Sequence, residues 1–220
     1  MTATSSFIPP SFNCSKCPRL CHFRSRYRDS HPHWHNAPVD GIGPLSARLL
    51  IVGLAPGLKG ANATGRPFTG DYAGGYLYQT LGRFGLATGT YDGHLGDGVT
   101  LNDVRITNAV RCVPPQNRPT AAEATSCRFF LRSEIIAMAN LQTILALGKV
   151  AHDSVLRCFE CRPTTYPFAH QSKHLIADRY QLISSYHCSR YNTQTGRLTD
   201  AMFTSVFKDI LRAMGTQQQD

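Results

Sequence analysis

No apolar run in these 220 residues approaches the roughly 20 needed to cross a bilayer. The opening residues, MTATSSFIPP, hold no basic stretch followed by an apolar one. No secretory signal is visible, and an intracellular, cytoplasmic protein is expected. Acidic residues are scarce: 14 Asp and Glu stand against 23 Lys and Arg, a formal net charge of +9. That balance points to a polyanionic partner, nucleic acid first and an anionic membrane surface second. The chain lacks G-x-x-x-x-G-K-[ST], and no G-x-G-x-x-G opens a helix, which weighs against a nucleotide-phosphate enzyme. It also lacks internal repeats, low-complexity tracts and a linker. With hydrophobic residues at 42%, the chain is globular, and its length suits one α/β domain with a full core.

Cysteine is what the sequence does not lack. There are eight. In an intracellular protein they argue for metal ligation or catalysis over a disulfide framework. Cys14 and Cys17 form a C-x2-C pair, Cys112 follows a strand-like run, and Cys127 lies early in a helix. Four thiolates can hold a [4Fe–4S] cluster or a zinc ion. Cys158 and Cys161 make a rival pair, but they stand too far from Cys17 for one zinc ribbon. Cys21 and Cys188 read as buried thiols. His31, His33, Trp34 and His35 lie in an Arg-rich stretch and read as a phosphate-contacting or solvated surface.

The secondary-structure pattern alternates strand and helix. Residues 1 to about 46 read as loop-rich. Strands are predicted over Arg48–Leu54, Val104–Val110, Thr143–Leu147 and Tyr180–Ser184, each short and β-branched or apolar. Helices are predicted from Gly74 to about Leu86, from Thr120 to about Asn140, and from Lys149 to Leu156. Thr120-Ala-Ala-Glu123 is a capping box. Thr199 caps a last helix whose Phe203, Val206, Phe207, Ile210, Leu211 and Met214 form one stripe. Gly-rich loops follow the first strand and span Thr88–Gly98; a Pro-broken loop spans Cys112–Pro119. Such alternation predicts a parallel sheet covered on both faces, with a binding crevice at the strand ends.

Taken in order, several stretches resemble one family. They are Cys14-x-x-Cys17, Gly53-Leu-Ala-Pro-Gly57, Thr64-Gly-Arg-Pro-Phe-Thr-Gly-Asp71, Ile106-Thr-Asn-Ala-Val-Arg-Cys112-Val-Pro-Pro, Cys127 and His187-Cys-Ser-Arg-Tyr-Asn-Thr-Gln-Thr-Gly-Arg-Leu198. Each is weak alone, but together, over about residues 14 to 212, they are specific. The chain resembles the uracil-DNA glycosylase superfamily and, within it, the iron–sulfur branch called family 5. The resemblance implies a three-layer αβα sandwich around a four-stranded parallel sheet, with an N-terminal arm tethered by a structural [4Fe–4S] cluster on Cys14, Cys17, Cys112 and Cys127. It implies a monomer that flips uracil, and other deaminated bases such as hypoxanthine, out of double-stranded DNA and hydrolyses the base–sugar bond, with no membrane role.

The resemblance also assigns roles. Phe68 would stack on the flipped base, Asn108 would read the pyrimidine edge, and His187 would stabilise the leaving base. Asp71, chosen from the residues themselves as the catalytic carboxylate, would orient water or stabilise the sugar cation, and could also cap the helix that follows. Gly53, Ala55 and Gly57 would offer backbone groups to base or phosphate. Arg190, Tyr191, Asn192 and Arg197 would contact DNA or fill the gap, and Ser184 and Ser185 would bond phosphates. Two departures stand out. The first loop reads Leu54-Ala55 where many superfamily members have a polar side chain, an absence that also marks family 5. The common His-Pro-Ser reads His187-Cys188-Ser189. A non-catalytic nucleic-acid-binding protein with an iron–sulfur or zinc site explains the charge and cysteines too, but leaves Asp71, Asn108 and His187 idle.

Overall fold

The computed structural model describes residues 7–215. In chain order its elements are α1 (Pro18–Ser30), β1 (Leu49–Gly53), α2 (Ala61–Thr64), α3 (Tyr72–Arg83), β2 (Ala87–Thr88), β3 (Thr100–Leu101), β4 (Val104–Asn108), α4 (Ala121–Ala137), β5 (Thr143–Leu147), α5 (Lys149–Cys158), β6 (Lys173–Ile176), β7 (Tyr180–Ser185), α6 (Arg190–Gln194) and α7 (Asp200–Ala213). No helix among the described residues is long and apolar enough to cross a membrane.

The main sheet runs β4-β1-β5-β7-β6. The first four strands are parallel, as their sequences predict, and every residue of β1, β4 and β5 is buried. Alternate side chains leave opposite faces of a strand, so each strand feeds two cores. Leu49, Ile51, Val104, Ile106, Leu145 and Ile183 pack with Leu77 and Leu81 of α3 and with Phe203, Val206, Phe207 and Ile210 of α7. Leu50, Val52, Ile144, Ala146 and Leu182 face the other way, onto Leu131 and Ile135 of α4 and Ala151, Val155 and Leu156 of α5. Two helical layers sandwich one sheet.

The sheet has five strands rather than four. The fifth, β6, pairs antiparallel with β7, after a tight turn in which Ala177 and Asp178 both have φ of 49°. Only Ile176 of β6 is buried. A short edge strand with Lys173 and an exposed Leu175 carries almost no apolar periodicity, so its sequence does not announce it. The loop between α3 and β4 also holds a two-stranded ribbon, β2 with β3.

The arm departs further from expectation, because a 13-residue helix lies inside the stretch read as loop. Of α1 only Leu20 and Arg24 are buried, too little for a recognisable stripe. The available signal was Pro18 at the start, a position proline favours. Leu20 packs with Val110 and Phe130. Arg19 binds Glu123 with two contacts of 2.7 Å, while Glu123 completes the predicted capping box with Thr120. The arm is thereby pinned to α4 and to the residues just after β4.

Candidate active site

The C-terminal ends of β1, β4 and β7 open into a cavity of about 450 Å³. Leu54, Ala55 and Gly57 line it from the loop after β1, Phe68, Asp71 and Tyr72 from the approach to α3, and Asn108 from the end of β4. His187, Ser189 and Arg190 close it from the segment after β7. β1 sits between β4 and β5, so connections leave its two sides in opposite directions, which is where open α/β sheets leave a crevice.

Gly53 ends β1 directly opposite Asn108. A Cβ there would lie 2.4 Å from Asn108 Oδ1 and 2.6 Å from the Phe68 ring, so only glycine lets both side chains reach the strand end. Asn108 is 3% exposed, and its amide makes no hydrogen bond among the described residues. The amide is left for whatever enters the cavity. Phe68 holds φ at +52°, an unusual conformation for an aromatic residue, and lays its ring near-parallel to the His187 ring at 5.9 Å.

His187 opens on the cavity with part of its ring and is packed by protein elsewhere; that burial pushes its pKa down to about 4. The imidazole is neutral at physiological pH. Asn192 holds the loop by donating to the His187 carbonyl at 2.8 Å. Cys188 is fully buried and donates to the carbonyl of Ala73, tying the same loop to the start of α3. Asp71 caps α3, accepting from the Gly74 N–H at 2.9 Å. Asp71 reaches the surface, but the protein packed around its carboxyl raises it above the ordinary value, outweighing the backbone N–H groups of Gly74 and Ala73 that favour the carboxylate. One carboxylate thus both starts the helix and faces the cavity.

Two expected phosphate contacts do not hold. Ser184 and Ser185 are both 0% exposed. Ser184 Oγ lies 2.7 Å from Nδ1 of buried His152, and Ser185 bonds the Tyr186 carbonyl and faces His170. They sit at the end of β7 but inside the protein, because the segment 166–172 folds over them. Asn192 is spent on positioning His187. Tyr191 is 71% exposed, Arg190 lies against the Tyr72 ring, and Arg197 covers Tyr186. The sequence reading missed Tyr72, Ala61, Ala73 and Asn117, which also line the cavity. Asn117 belongs to a turn at Pro115–Asn117 in which it and Gln116 both have positive φ, and the preceding Pro-Pro was its one signal.

Cys14, Cys17, Cys112 and Cys127 line a second, narrow cavity between α1, α4 and the segment after β4. No three Cys, His, Asp or Glu among the described residues stand as a group able to hold one metal ion. Burial pushes Cys17 up to about 11 and Cys112 up to about 12, and in each the neighbouring thiols add to the rise. Two buried arginines flank the site. Arg24 bonds the Cys14 carbonyl, and Arg111 donates its backbone N–H to Cys127 Sγ, yet Nε and Nη1 of both guanidiniums have no partner. Four thiols beside buried guanidinium N–H groups that lack acceptors fit an anionic thiolate-bound group. The rival Cys158, the last residue of α5, is instead buried in the core, with Cys161 packed at its edge.

At the strand ends of a basic chain, a flat ring, a free amide and a neutral imidazole meet, groups able to stack on and hydrogen-bond a planar heterocycle. Comparison with known proteins gives the family. The family model described as the uracil DNA glycosylase superfamily matches residues 41–211. The type-5 uracil-DNA glycosylase of Thermus thermophilus is 39% identical over 216 residues, covering 96% of this chain and 98% of that protein. The type-5 uracil-DNA glycosylase of Mycobacterium leprae is 40% identical over 92% of each chain. A type-4 uracil-DNA glycosylase of Pyrobaculum aerophilum is 34% identical over 66% of this chain. The chain belongs to the uracil-DNA glycosylase superfamily.

Proposed function

We propose that this protein is a DNA repair glycosylase that removes uracil from double-stranded DNA and leaves an abasic site. The observation that carries this reading is the meeting of Phe68, Asp71, Asn108 and His187 around one cavity, from three separate stretches of chain. Extruding a base costs a few kcal/mol, least at a mismatch. The Phe68 face returns about 1–3 kcal/mol by stacking. The Asn108 amide, with one donor and one acceptor side, matches N3–H and O4 of uracil together. Breaking the base–sugar bond leaves negative charge on the base and positive charge on the sugar. His187, neutral because it is buried, can donate to the base oxygen O2 without first losing a charge. Asp71 lines the same cavity, where its carboxylate can stabilise the sugar cation or orient the attacking water.

The walls at Ala55, Ala61 and Ala73 are small, which supports acceptance of other deaminated bases such as hypoxanthine. The surplus of positive charge supports a duplex partner. The four-thiol cavity supports a [4Fe–4S] cluster held by Cys14, Cys17, Cys112 and Cys127. Bound there, it supplies cross-linking of the arm to the segment after β4, and no step of the reaction needs it. A brown protein whose visible absorption bleaches on reduction supports the cluster; a colourless protein with one zinc per chain overturns it in favour of zinc.

The test of function is incubation with short duplexes carrying uracil or hypoxanthine, followed by alkaline cleavage at abasic sites. Strand scission at uracil, lost in N108A and H187A proteins that still bind the duplex, is the expected result. Duplex binding without scission by the parent protein would overturn the reading in favour of a non-catalytic binder.

A further inference from the structure

The residues that hold Phe68 in place lie outside the cavity, and two of them, Tyr91 and Asp97, are on the Gly-rich segment between α3 and β4. Tyr91 is the centre of that grip. Its hydroxyl accepts from the Gly70 N–H at 3.1 Å and donates to the Phe68 carbonyl at 3.3 Å, bridging both sides of the turn that carries the ring. Tyr78, stacked on Tyr91 with centroids 4.7 Å apart, donates to the Pro67 carbonyl at 3.2 Å. Arg66 lies over both tyrosine rings and donates Nε to Thr69 Oγ1 at 2.7 Å. Its two terminal nitrogens grip the Asp97 carboxylate at 2.8 and 2.5 Å, and neither side chain is more than 7% exposed. Asp97 also accepts from the N–H groups of Asp92 and Val99, folding the Gly-rich segment around itself. α3 presses on the same turn, since a Cβ on Gly74 would lie 2.0 Å from the Phe68 carbonyl and 2.6 Å from the Tyr91 hydroxyl.

A left-handed aromatic residue persists only where its surroundings over-determine it. Here three consecutive residues, Pro67, Phe68 and Thr69, each have an acceptor taken by a side chain, two of these donors coming from other segments of the chain. We propose that Tyr91 and the Arg66–Asp97 pair are positioning residues for base excision, acting as a clamp that sets the Phe68 ring. The segment read from sequence as a plain Gly-rich loop is then part of the excision machinery, although it never touches the base. This inference rests on the reading of the cavity as the base pocket.

Y91F tests it, because it removes one hydroxyl and keeps the stacked ring and the cover over Arg66. Y91F is expected to lower the single-turnover excision rate about tenfold, with duplex affinity little changed. R66K, which keeps the charge but loses the two-pronged grip, is expected to act in the same direction and serves if Y91F does not fold. The decisive measurement is Y91F in an F68A background. A clamp that works through the ring has far less to lose there, so the loss should shrink to under about threefold. A loss of equal size in both backgrounds, as general destabilisation produces, overturns the proposal, and so do parent-like rates in both Y91F and R66K. A parent-like rate in F68A alone instead removes the pocket reading, an outcome distinct from an impaired F68A beside a silent Y91F.

Discussion

Replacing Gly53 with alanine puts a methyl group in place of a hydrogen at the point where the cavity's walls meet. The new Cβ would stand 2.4 Å from Asn108 Oδ1 and 2.6 and 2.7 Å from two carbons of the Phe68 ring, against 3.4–4 Å for ordinary contact. Something must move by about 1 Å. β1 cannot, because it is paired on both sides, to β4 and to β5. Phe68 and Asn108 are the parts left to yield, and they are the groups proposed to grip the base. A misplacement of about 1 Å costs on the order of 100-fold in rate. Overpacking costs about 1–3 kcal/mol of stability, equivalent to a Tm lower by roughly 2–12 °C in a chain of this size. The assay is single-turnover excision of uracil from a short duplex at saturating protein, with duplex affinity and thermal unfolding measured beside it. We expect a rate about 100-fold below the parent with affinity nearly unchanged. A rate within about threefold of the parent, in a protein whose Tm has fallen, would refute the reasoning: the clash would be real and the two side chains would not set the reactive geometry.

Other expectations follow from the same geometry. D71N keeps the helix cap, since Asn caps as well as Asp, but removes a carboxylate that the fold holds at a raised pKa. Its excision rate should fall about 10²–10⁴-fold while its Tm stays equal or rises, which calorimetry and the scission assay can check together. The pH–rate profile should be flat through neutrality, because His187 loses its charge above about 4, and should decline on the acid side as Asp71 takes its proton. A limb near pH 6.5 that disappears in H187N would contradict that assignment. Stability should follow the His187 sign as well. Between its ordinary value of 6.5 and about 4, the unfolded chain binds a proton that the folded ring refuses. Stability is therefore full above 6.5 and erodes as pH falls, by at most about 3 kcal/mol since the ring partly meets the cavity. E134Q should be costly, because Glu134 is fully buried between Arg105 and Arg111 and answers both guanidiniums. Removing its charge should cost about 3–5 kcal/mol, a Tm drop of roughly 6–20 °C by calorimetry; an unchanged Tm would mean that the network contributes nothing.

The layers of the fold were legible in the sequence because burial has a period. Leu49 and Ile51 belong to one core and Leu50 and Val52 to the other, and an apolar run buried on both faces reads as a parallel strand. The capping box at Thr120 and the stripe on α7 were equally local, and the structure reproduces both. The helix of the arm and the edge strand β6 escaped because each buries one or two residues, leaving no period to detect. The candidate residues Asp71, Asn108 and His187 stood out only through the order of motifs.

What no local pattern contains is the convergence of distant chain. Asn108 meets Gly53 because β4 and β1 pair in one register, and His187 arrives because β7 lies two strands from β1. The sealing of Ser184 and Ser185 beneath the segment 166–172, and the grip of Arg66 and Tyr91 on the turn around Phe68, are tertiary facts of the same kind. Periodicity records which side of an element is buried. Strand order, register and the close approach that Gly53 permits decide which polar ends share one cavity, and so decide the chemistry.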